Sequence, residues 1–278
     1  MKTPPMSATT SVSLVVTDLD GTLWHTDDHI DDAVLAAIGT LSERGIPLLV
    51  ATGRRLASTS EPLARYGLAP PAVVLNGALG VDLATGSRFH RAPYPTEQAV
   101  SVLGAFRSVG LEPVVYVDHP DVDVFLAPTP STHPEHVRQL GDTARTDDLA
   151  RVVEDEAVLG FSMIGVDHAL GVAAMDAVDE LAQVHLDRSI DYPGLASLTA
   201  APRGQSKWDG VLAFCRSQGL DPGRVVALAD GPNDLELLDH AAVRLVPEVA
   251  HPAATERADH VIGSAAGGGW AEVLDYLG

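Results

Sequence analysis

Two aspartates follow a stretch of sequence that predicts a buried β-strand. The β-branched run 12–17 leads directly to Asp18 and Asp20, which lie two residues apart. Side chains at that spacing in an extended segment lie on the same face, so both carboxylates can enter one pocket. Gly21 then allows the backbone to turn sharply. The Asp-Gly-Thr sequence is also common in ordinary turns, and both interpretations stay open at this point.

A second acidic group occurs late in the chain. Asp230, Asn233 and Asp234 follow the run 224–228, which predicts another strand. In a parallel sheet the carboxyl ends of the strands form the edge where such folds bind ligands. Carboxylates that converge there repel one another unless a hard cation lies among them, and Mg²⁺ prefers oxygen ligands. The pattern predicts a metal site, although this segment is also rich in turn-forming residues.

Positive charge is scarce in this sequence. The formal net charge is −20, so a phosphate-binding site must supply its own local positive charge, which a metal ion can do. Of the 18 basic residues only Lys2 and Lys207 are lysines. The retention of one internal lysine in an arginine-rich chain suggests that Lys207 needs a compact ammonium, although chance would give the same count.

Composition excludes several classes of partner. Hydrophobic residues make up 46% of the sequence, which is enough for a packed core. The acidic balance argues against nucleic acid and anionic membranes as partners, and no apolar stretch is long enough to span a bilayer. The single cysteine, Cys215, fits the cytoplasm and lies in a helix-like run that predicts burial. Residues 1–11 predict a disordered tail rather than a signal peptide.

The elements that position the acidic residues alternate in type. Strands are expected at 12–17, 46–50 and 72–75, with helices at 31–44 and from 54 to about 66. This alternation indicates a parallel sheet covered by helices. The same rhythm returns after residue 195, with helices expected at 208–217, after 234 and from 270, and strands at 224–228 and 242–246.

Between these parts the rhythm changes, which predicts an inserted domain. Helices are expected at 96–109 and 168–183, and strands at 112–118, 124–127 and 158–165. Strands that lie side by side between helices are typical of an α+β module. We therefore predict a tail at 1–11, a core formed by 12–82 and 196–278, and an inserted domain at 83–195.

The order and spacing of the candidate residues resemble the haloacid dehalogenase (HAD) superfamily. Its four motifs match residues 18–22 (Asp-Leu-Asp-Gly-Thr), 52–54 (Thr-Gly-Arg), Lys207, and 230–234 (Asp-Gly-Pro-Asn-Asp). The resemblance spans the whole predicted core. It implies an α/β fold in which a Rossmann-like parallel-sheet core carries an inserted α+β cap domain.

Further features are similar to particular branches of that superfamily. The insertion resembles the type IIB (C2) cap of the Cof-like phosphatases, and Asn76-Gly77 after the third predicted strand matches the same branch. Pro232 and the Gly269-Trp270 pair are more similar to the mannosyl-3-phosphoglycerate phosphatase branch. These differences leave the implied chemistry in place but leave the substrate open.

The resemblance implies a role for each matched residue. Asp18 would attack phosphorus and form an aspartyl-phosphate, and Asp20 would protonate the leaving oxygen and later deprotonate water. The implied phosphate-binding residues are Thr52, Gly53, Lys207 and Asn233, and the implied substrate-binding residues are Arg54, Asn76 and Gly77. The implied Mg²⁺ ligands are Asp18, the backbone carbonyl of Asp20, Asp230 and Asp234.

The expected activity is Mg²⁺-dependent hydrolysis of a small phosphorylated metabolite, a sugar phosphate or a glycosyl phosphoglycerate, by a monomer or homodimer. A phosphomutase of the phosphomannomutase type is one alternative, but it would need a second phosphate site in the cap, where acidic residues outnumber basic ones. A sugar-phosphate sensor without activity is another, although binding alone does not require a nucleophile together with a proton shuttle.

Overall fold

The computed structural model describes residues 12–119, 121–189 and 192–278, so the predicted tail at 1–11 lies outside the described residues. Within these ranges the chain forms two compact units. The core unit contains residues 12–54, 59–90 and 206–278. The inserted unit contains residues 55–58 and the described part of 91–205.

The described residues form fourteen strands and nine α-helices. The strands are β1 (Leu14–Thr17), β2 (Leu48–Ala51), β3 (Pro71–Val74), β4 (Leu79–Asp82), β5 (Arg88–Arg91), β6 (Val114–Val117), β7 (Val124–Leu126), β8 (Ala144–Thr146), β9 (Val158–Val166), β10 (Gln183–Arg188), β11 (Ala196–Ala201), β12 (Val225–Leu228), β13 (Val243–Pro247) and β14 (His260–Ile262). The helices are α1 (Asp32–Glu43), α2 (Leu56–Arg65), α3 (Thr96–Ser108), α4 (Pro134–Gln139), α5 (Leu149–Asp155), α6 (His168–Val178), α7 (Lys207–Gln218), α8 (Leu235–His240) and α9 (Pro252–Thr255).

The core unit is built on a sheet whose strand order is β14-β13-β12-β1-β2-β3-β4-β5. The strands from β14 to β3 are parallel, and β4 runs antiparallel to β3. Thr17 of β1 aligns with Val50 of β2 and with Leu228 of β12. The segments that follow these three strands therefore leave the sheet at the same edge, and the predicted α/β fold with a parallel-sheet core is confirmed.

Local sequence determines where the helices of the core unit begin and end. The Asp31 side chain accepts a hydrogen bond from the backbone N–H of Ala33 and caps the start of α1. At α7, Ser206 and Asp209 form a reciprocal capping box, in which each side chain binds the other residue's backbone N–H. Gly219 ends α7 in the left-handed conformation, with φ of 67°.

The inserted unit has its own six-stranded sheet, ordered β10-β11-β9-β6-β7-β8. The long strand β9 pairs antiparallel with both β6 and β11. Apolar residues of α3, α5 and α6 pack against this sheet in one buried cluster that includes Phe106 and Phe161. The predicted α+β character of the insertion is therefore confirmed. None of the helices in the described ranges has the length and apolar content that crossing a membrane requires.

Several elements differ from the sequence-based expectation. The helix predicted at 168–183 ends at Val178, and Gln183 begins β10, where Val184 and Leu186 alternate with polar residues at the period of a strand. The last segment, Gly269–Tyr276, is a 3₁₀-helix rather than an α-helix. The compact units divide at 54/55, 58/59, 90/91 and 205/206. The strand β5 pairs within the core sheet and β11 within the inserted sheet. The domain boundaries at 82/83 and 195/196 stay a prediction.

Gly210 in α7 provides a test of the packing between this helix and the core sheet. A Cβ added at Gly210 would lie 2.4 Å from Cγ1 of Val73, a fully buried and stiff β-branched residue. We expect Gly210→Ala to lower the melting temperature, because overpacking costs about 1–3 kcal/mol and outweighs a gain of up to about 1 kcal/mol in helix propensity. Gly39→Ala in α1, where no atom lies within 4 Å of an added Cβ, should instead raise it. Equal effects of the two substitutions would contradict this packing.

Candidate active site

Asp18 lies immediately after β1, at the carboxyl edge of the core sheet. Its backbone N–H donates to the carbonyl of Leu228 at 2.9 Å. Its carbonyl accepts from the Thr17 hydroxyl at 2.7 Å, and that hydroxyl oxygen in turn accepts from the indole N–H of Trp270 at 2.9 Å. Asp18 is only 7% exposed, so its backbone is held firmly while its side chain enters a nearly closed site.

Lys207 occupies the first position of α7, where the capping box fixes the direction of the helix. The Lys207 side chain is 1% exposed. Its ammonium donates to Asp18 Oδ1 at 2.8 Å and to Asp234 Oδ1 at 2.6 Å. Burial alone would lower the pKa of Lys207, but the two carboxylates outweigh this effect and raise the pKa above its usual range.

Three carboxylates converge around this ammonium. One oxygen each from Asp18, Asp230 and Asp234 lies within 4.8 Å of the others. Thr22 donates its hydroxyl to Asp230 Oδ1 at 2.8 Å, and the backbone N–H of Gly231 donates to Asp234 Oδ2 at 3.0 Å. The two acidic groups that the sequence places more than 200 residues apart therefore meet, as predicted for the carboxyl edge of a parallel sheet.

Gly21 allows the first loop to approach the last one closely. Its φ of 77° lies in the left-handed region, and an added Cβ would lie 2.4 Å from Asp230 Oδ2. Any side chain at this position would be strained and would displace the Asp230 carboxylate. The glycine is therefore required both by the turn and by the geometry of the acidic cluster.

The electrostatics of the three carboxylates fit a bound cation. Burial raises the pKa of Asp18 well above its usual range, and the neighbouring carboxylates add to this effect while Lys207 opposes it. Burial likewise raises the pKa of Asp230 to about 6, against the hydrogen bond from Thr22. A cation among these oxygens would stabilise their charged forms. The donor set consists only of oxygens, which suits a hard divalent ion.

Asp20 has a different environment from the three converging carboxylates. Its Oδ1 accepts from Arg54 Nη2 at 2.6 Å and from the indole N–H of Trp24 at 3.1 Å, and its Oδ2 accepts from Arg54 Nε at 2.7 Å. Arg54 also pairs with Asp28 at 2.8 Å. The Asp20 side chain is therefore not part of the acidic cluster, and metal binding through its backbone carbonyl stays a prediction.

The loop after β2 brings the second motif next to the loops that carry Asn76 and Asn233. The Thr52 hydroxyl accepts from the backbone N–H of Arg54 at 3.2 Å. The Asn233 amide donates to Asn76 Oδ1 at 2.9 Å, and that oxygen would lie 3.0 Å from a Cβ added at Gly53. The structure thus brings the predicted phosphate-binding and substrate-binding residues of these three loops together.

The turn after β3 is held in an unusual conformation. Leu75 and Asn76 are consecutive non-glycine residues with φ of 52° and 53°, and Gly77 follows with φ of 107°. Their strain is offset by backbone hydrogen bonds from Leu75 to the Arg54 carbonyl and from Asn76 to the Thr52 carbonyl. Backbone strain of this kind concentrates at functional sites, where surrounding structure maintains it.

Sequence reasoning missed four residues that contact the candidate site: Thr22, Trp24, Asp28 and Trp270. Thr22 is the last residue of the first matched motif, and that membership could have identified it as a site residue. The other three act through contacts that no spacing rule reveals. Cys215 is buried in α7, as predicted.

Comparison with known proteins gives a consistent result. Residues 15–274 match the sequence model of the haloacid dehalogenase-like hydrolases. The chain is 27% identical to a phosphoglycolate phosphatase from Methanopyrus kandleri, over 95% of this chain and 97% of that protein. It is 24% identical to the pyridoxal phosphate phosphatase YbhA from Escherichia coli, over 90% of this chain and 93% of that protein.

Solved structures with low sequence identity share the fold. TM0651 from Thermotoga maritima superposes with a TM-score of 0.78 at 21% identity, covering 96% of this chain and 98% of that one. BT4131, described as a HAD subclass IIB sugar phosphatase, superposes with a TM-score of 0.73 at 18% identity, covering 95% and 98%. The match of the family model over almost the whole sequence is the decisive finding: this chain belongs to the haloacid dehalogenase-like hydrolases.

Proposed function

We propose that this protein is a Mg²⁺-dependent phosphatase that hydrolyses a small phosphorylated metabolite through an aspartyl-phosphate on Asp18. The observation that carries the proposal is the Lys207 ammonium held between Asp18 and Asp234 beside a third carboxylate, Asp230. A buried carboxylate at a strand end, fixed by a cation and poised beside an all-oxygen cluster, suits nucleophilic attack on phosphorus.

The broader activity rests on the family and the relatives of the chain. It is a phosphoric monoester hydrolase that acts on small phosphorylated compounds. The particular substrate is a further proposal. We favour a sugar phosphate or a glycosyl phosphoglycerate, and the names of the two relatives add phosphoglycolate and pyridoxal phosphate to the compounds worth testing.

The proposed reaction has two steps. An Asp18 carboxylate oxygen attacks phosphorus, the bond to the leaving oxygen breaks, and Asp20 gives that oxygen a proton. Asp20 then removes a proton from water, which attacks the phosphorus of the aspartyl-phosphate and restores the Asp18 carboxylate. Thr52 and Lys207 bind the phosphate oxygens and stabilise the charge on the transferring group.

The same proposal assigns binding roles to the neighbouring loops. Gly53 offers a backbone N–H without a side chain that would obstruct phosphate, and Asn233 offers an amide donor. Asn76, Gly77 and Arg54 are proposed to contact the rest of the substrate. Backbone hydrogen bonds from Leu75 to Arg54 and from Asn76 to Thr52 join the loops that carry them.

Asp18, Asp230, Asp234 and the backbone carbonyl of Asp20 are the proposed holders of Mg²⁺. When bound, the ion would neutralise negative charge on the phosphoryl group and on the carboxylates around it. We further propose a cytoplasmic protein that acts as a monomer or homodimer and binds neither nucleic acid nor membranes, on the basis of its acidic charge and single cysteine.

Replacement of the proposed nucleophile tests the first step. Asp18→Asn should reduce phosphate release on the order of 10³-fold or more, because an amide cannot form the acyl phosphate. Asp275→Asn, at an exposed position of the core unit, is the matched control and should retain wild-type turnover. Substantial release by a clean Asp18→Asn preparation would contradict the assignment. A panel of phosphorylated metabolites with phosphate detection would also narrow the choice of substrate, and phosphate release from any of them would distinguish a hydrolase from a mutase and from a sensor.

Removal of metal tests the proposed Mg²⁺ dependence. EDTA should abolish activity, Mg²⁺ should restore it, and Ca²⁺ should inhibit, because Ca²⁺ tolerates more ligands and longer distances and lets Asp18 bind it bidentately. An independent readout is thermal melting. Mg²⁺ at about 100 times its Kd should stabilise the protein by about 2.7 kcal/mol, and Asp230→Asn should weaken that shift. Full activity in EDTA would remove the metal from the mechanism.

The near-solitary lysine allows a charge-conserving test. A guanidinium is planar and larger than an ammonium, so it cannot occupy the space between Asp18 and Asp234 in the same way. We expect Lys207→Arg to lose on the order of 100-fold in kcat/KM through misplacement of the charge, and to melt below the wild-type temperature but still fold, because the larger side chain overpacks a site that is 1% exposed. Wild-type kinetics in this variant would show that Lys207 has no role in the reaction.

A further inference from the structure

We propose that Trp24 is a positioning residue for Asp20. Its indole N–H binds the Asp20 carboxylate and its ring contacts Arg54, so that Asp20 and Arg54 are held in one fixed arrangement. The inference rests on the proposed function, in which Asp20 transfers protons during phosphate-ester hydrolysis. It assigns a kinetic role to a residue that the four motifs do not include. Trp24, Asp20 and Arg54, and Asp28 beside them, all belong to the core unit.

The Asp20 carboxylate is hydrogen-bonded on both of its oxygens. Arg54 binds both carboxylate oxygens, with Nη2 at 2.6 Å from Oδ1 and Nε at 2.7 Å from Oδ2. Trp24 Nε1 donates to the same Oδ1 at 3.1 Å. Three donors from two side chains therefore fix the plane of the carboxylate as well as its position.

Trp24 also contacts Arg54, the partner of Asp20. The Arg54 guanidinium carbon lies 5.0 Å from the centre of the Trp24 ring, which is cation–π geometry. On its other side, Arg54 Nη1 pairs with Asp28 at 2.8 Å. The indole thus supports both members of the Asp20–Arg54 pair, one through its N–H and the other through its face.

Trp24 is far more buried than the charged residues that it contacts. Trp24 is 0% exposed, whereas the side chains of Asp20, Arg54 and Asp28 are 27%, 24% and 23% exposed. A fully packed indole has few alternative rotamers, while the three charged side chains retain access to solvent and to substrate. The tryptophan is therefore the rigid support for groups that must meet a substrate.

The backbone around Trp24 maintains this geometry. The Trp24 carbonyl accepts from the Gly21 N–H at 2.9 Å, and the Trp24 N–H donates to the Leu19 carbonyl at 3.1 Å, which closes a tight loop around Asp20. Asp27 and Asp28 follow with φ of 68° and 56°, an uncommon conformation for two successive non-glycine residues. Such strain persists only where surrounding contacts maintain it, and in this conformation Asp28 pairs with Arg54.

The rate effect of displacing Asp20 should depend on how basic the leaving oxygen of the phosphate ester is. Proton transfer to a leaving oxygen matters most when that oxygen is strongly basic, as in an alkyl phosphate, and little when it is weakly basic, as in dinitrophenyl phosphate. A carboxylate displaced by a fraction of an ångström would therefore slow the first ester far more than the second. A substitution that only loosens the fold would slow both esters equally.

The test measures kcat/KM for an alkyl phosphate and for dinitrophenyl phosphate, because this ratio includes departure of the leaving group. Trp24→Phe keeps an aromatic ring, although a smaller one, and removes the indole N–H. We expect it to lose about 10-fold on the alkyl ester and less than about twofold on the dinitrophenyl ester. Asp20→Asn should show the same pattern with a larger loss on the alkyl ester, on the order of 10²-fold or more.

Trp270→Phe is the matched control, because Trp270 is also 0% exposed and also donates its indole N–H at 2.9 Å, but to Thr17. Any loss in this variant should be equal for the two esters. Melting temperatures identify a variant that fails to fold. If Trp24→Phe does so, Asp28→Asn removes the outer partner of Arg54 at a partly exposed position and should give the same selective loss, smaller in size.

The outcomes separate this inference from the proposed function. Equal losses of Trp24→Phe on both esters, or a selective loss in Trp270→Phe as well, would overturn the role of Trp24 and leave the phosphatase assignment intact. Absence of phosphate release from both esters by the wild-type protein would overturn the proposed function and this inference with it. A selective loss confined to Trp24→Phe and the Asp20 and Asp28 variants would support the proposal.

Discussion

The ammonium of Lys207 between Asp18 and Asp234 is the interaction on which the rest of the candidate site depends. All three groups are almost completely buried, and a charge at such a position is tolerated only when it is paired and hydrogen-bonded. Removing one partner would leave the others as uncompensated buried charges. The pairing therefore ties the start of α7, which the Ser206–Asp209 capping box defines, to the loops after β1 and β12.

The same interaction leaves an electrostatic imbalance that a metal can resolve. Three carboxylates, when ionised, face one ammonium, which leaves two negative charges in a space where the oxygens lie within 4.8 Å of one another. Burial raises the pKa of Asp18 and of Asp230, and the neighbouring carboxylates add to this effect, so a further positive charge would stabilise the charged forms of both groups. A divalent cation matches the remaining charge, and an arriving phosphate would then meet a site that is locally positive despite the acidic chain.

Much of this arrangement was predictable, because the hydrophobic periodicity of the sequence indicates the strands and the spacing of the acidic residues places them at the strand ends. Strand ends at Thr17 and Leu228 place Asp18 and Asp230 at one edge once the sheet is known to be parallel, and a lone internal lysine is visible by inspection. The pairing of Asp20 with Trp24 and Arg54 was not predictable, because it depends on a strained loop conformation and on side-chain directions. The strand β10 was missed because Leu181 and Ala182 continue the helical pattern of the preceding segment, and only Val184 and Leu186 alternate with polar residues at the period of a strand.

The proposed reaction transfers the phosphoryl group to Asp18, and mass spectrometry after acid-quenched turnover would detect that intermediate. During steady-state hydrolysis with Mg²⁺, the peptide containing Asp18 should carry one phosphoryl group. Borohydride treatment of the quenched protein should reduce that acyl phosphate and convert Asp18 to homoserine. Rapid hydrolysis in which no phosphoryl group and no homoserine appear at residue 18, even in Asp20→Asn, where activation of water should be slowed, would contradict an aspartyl-phosphate on Asp18.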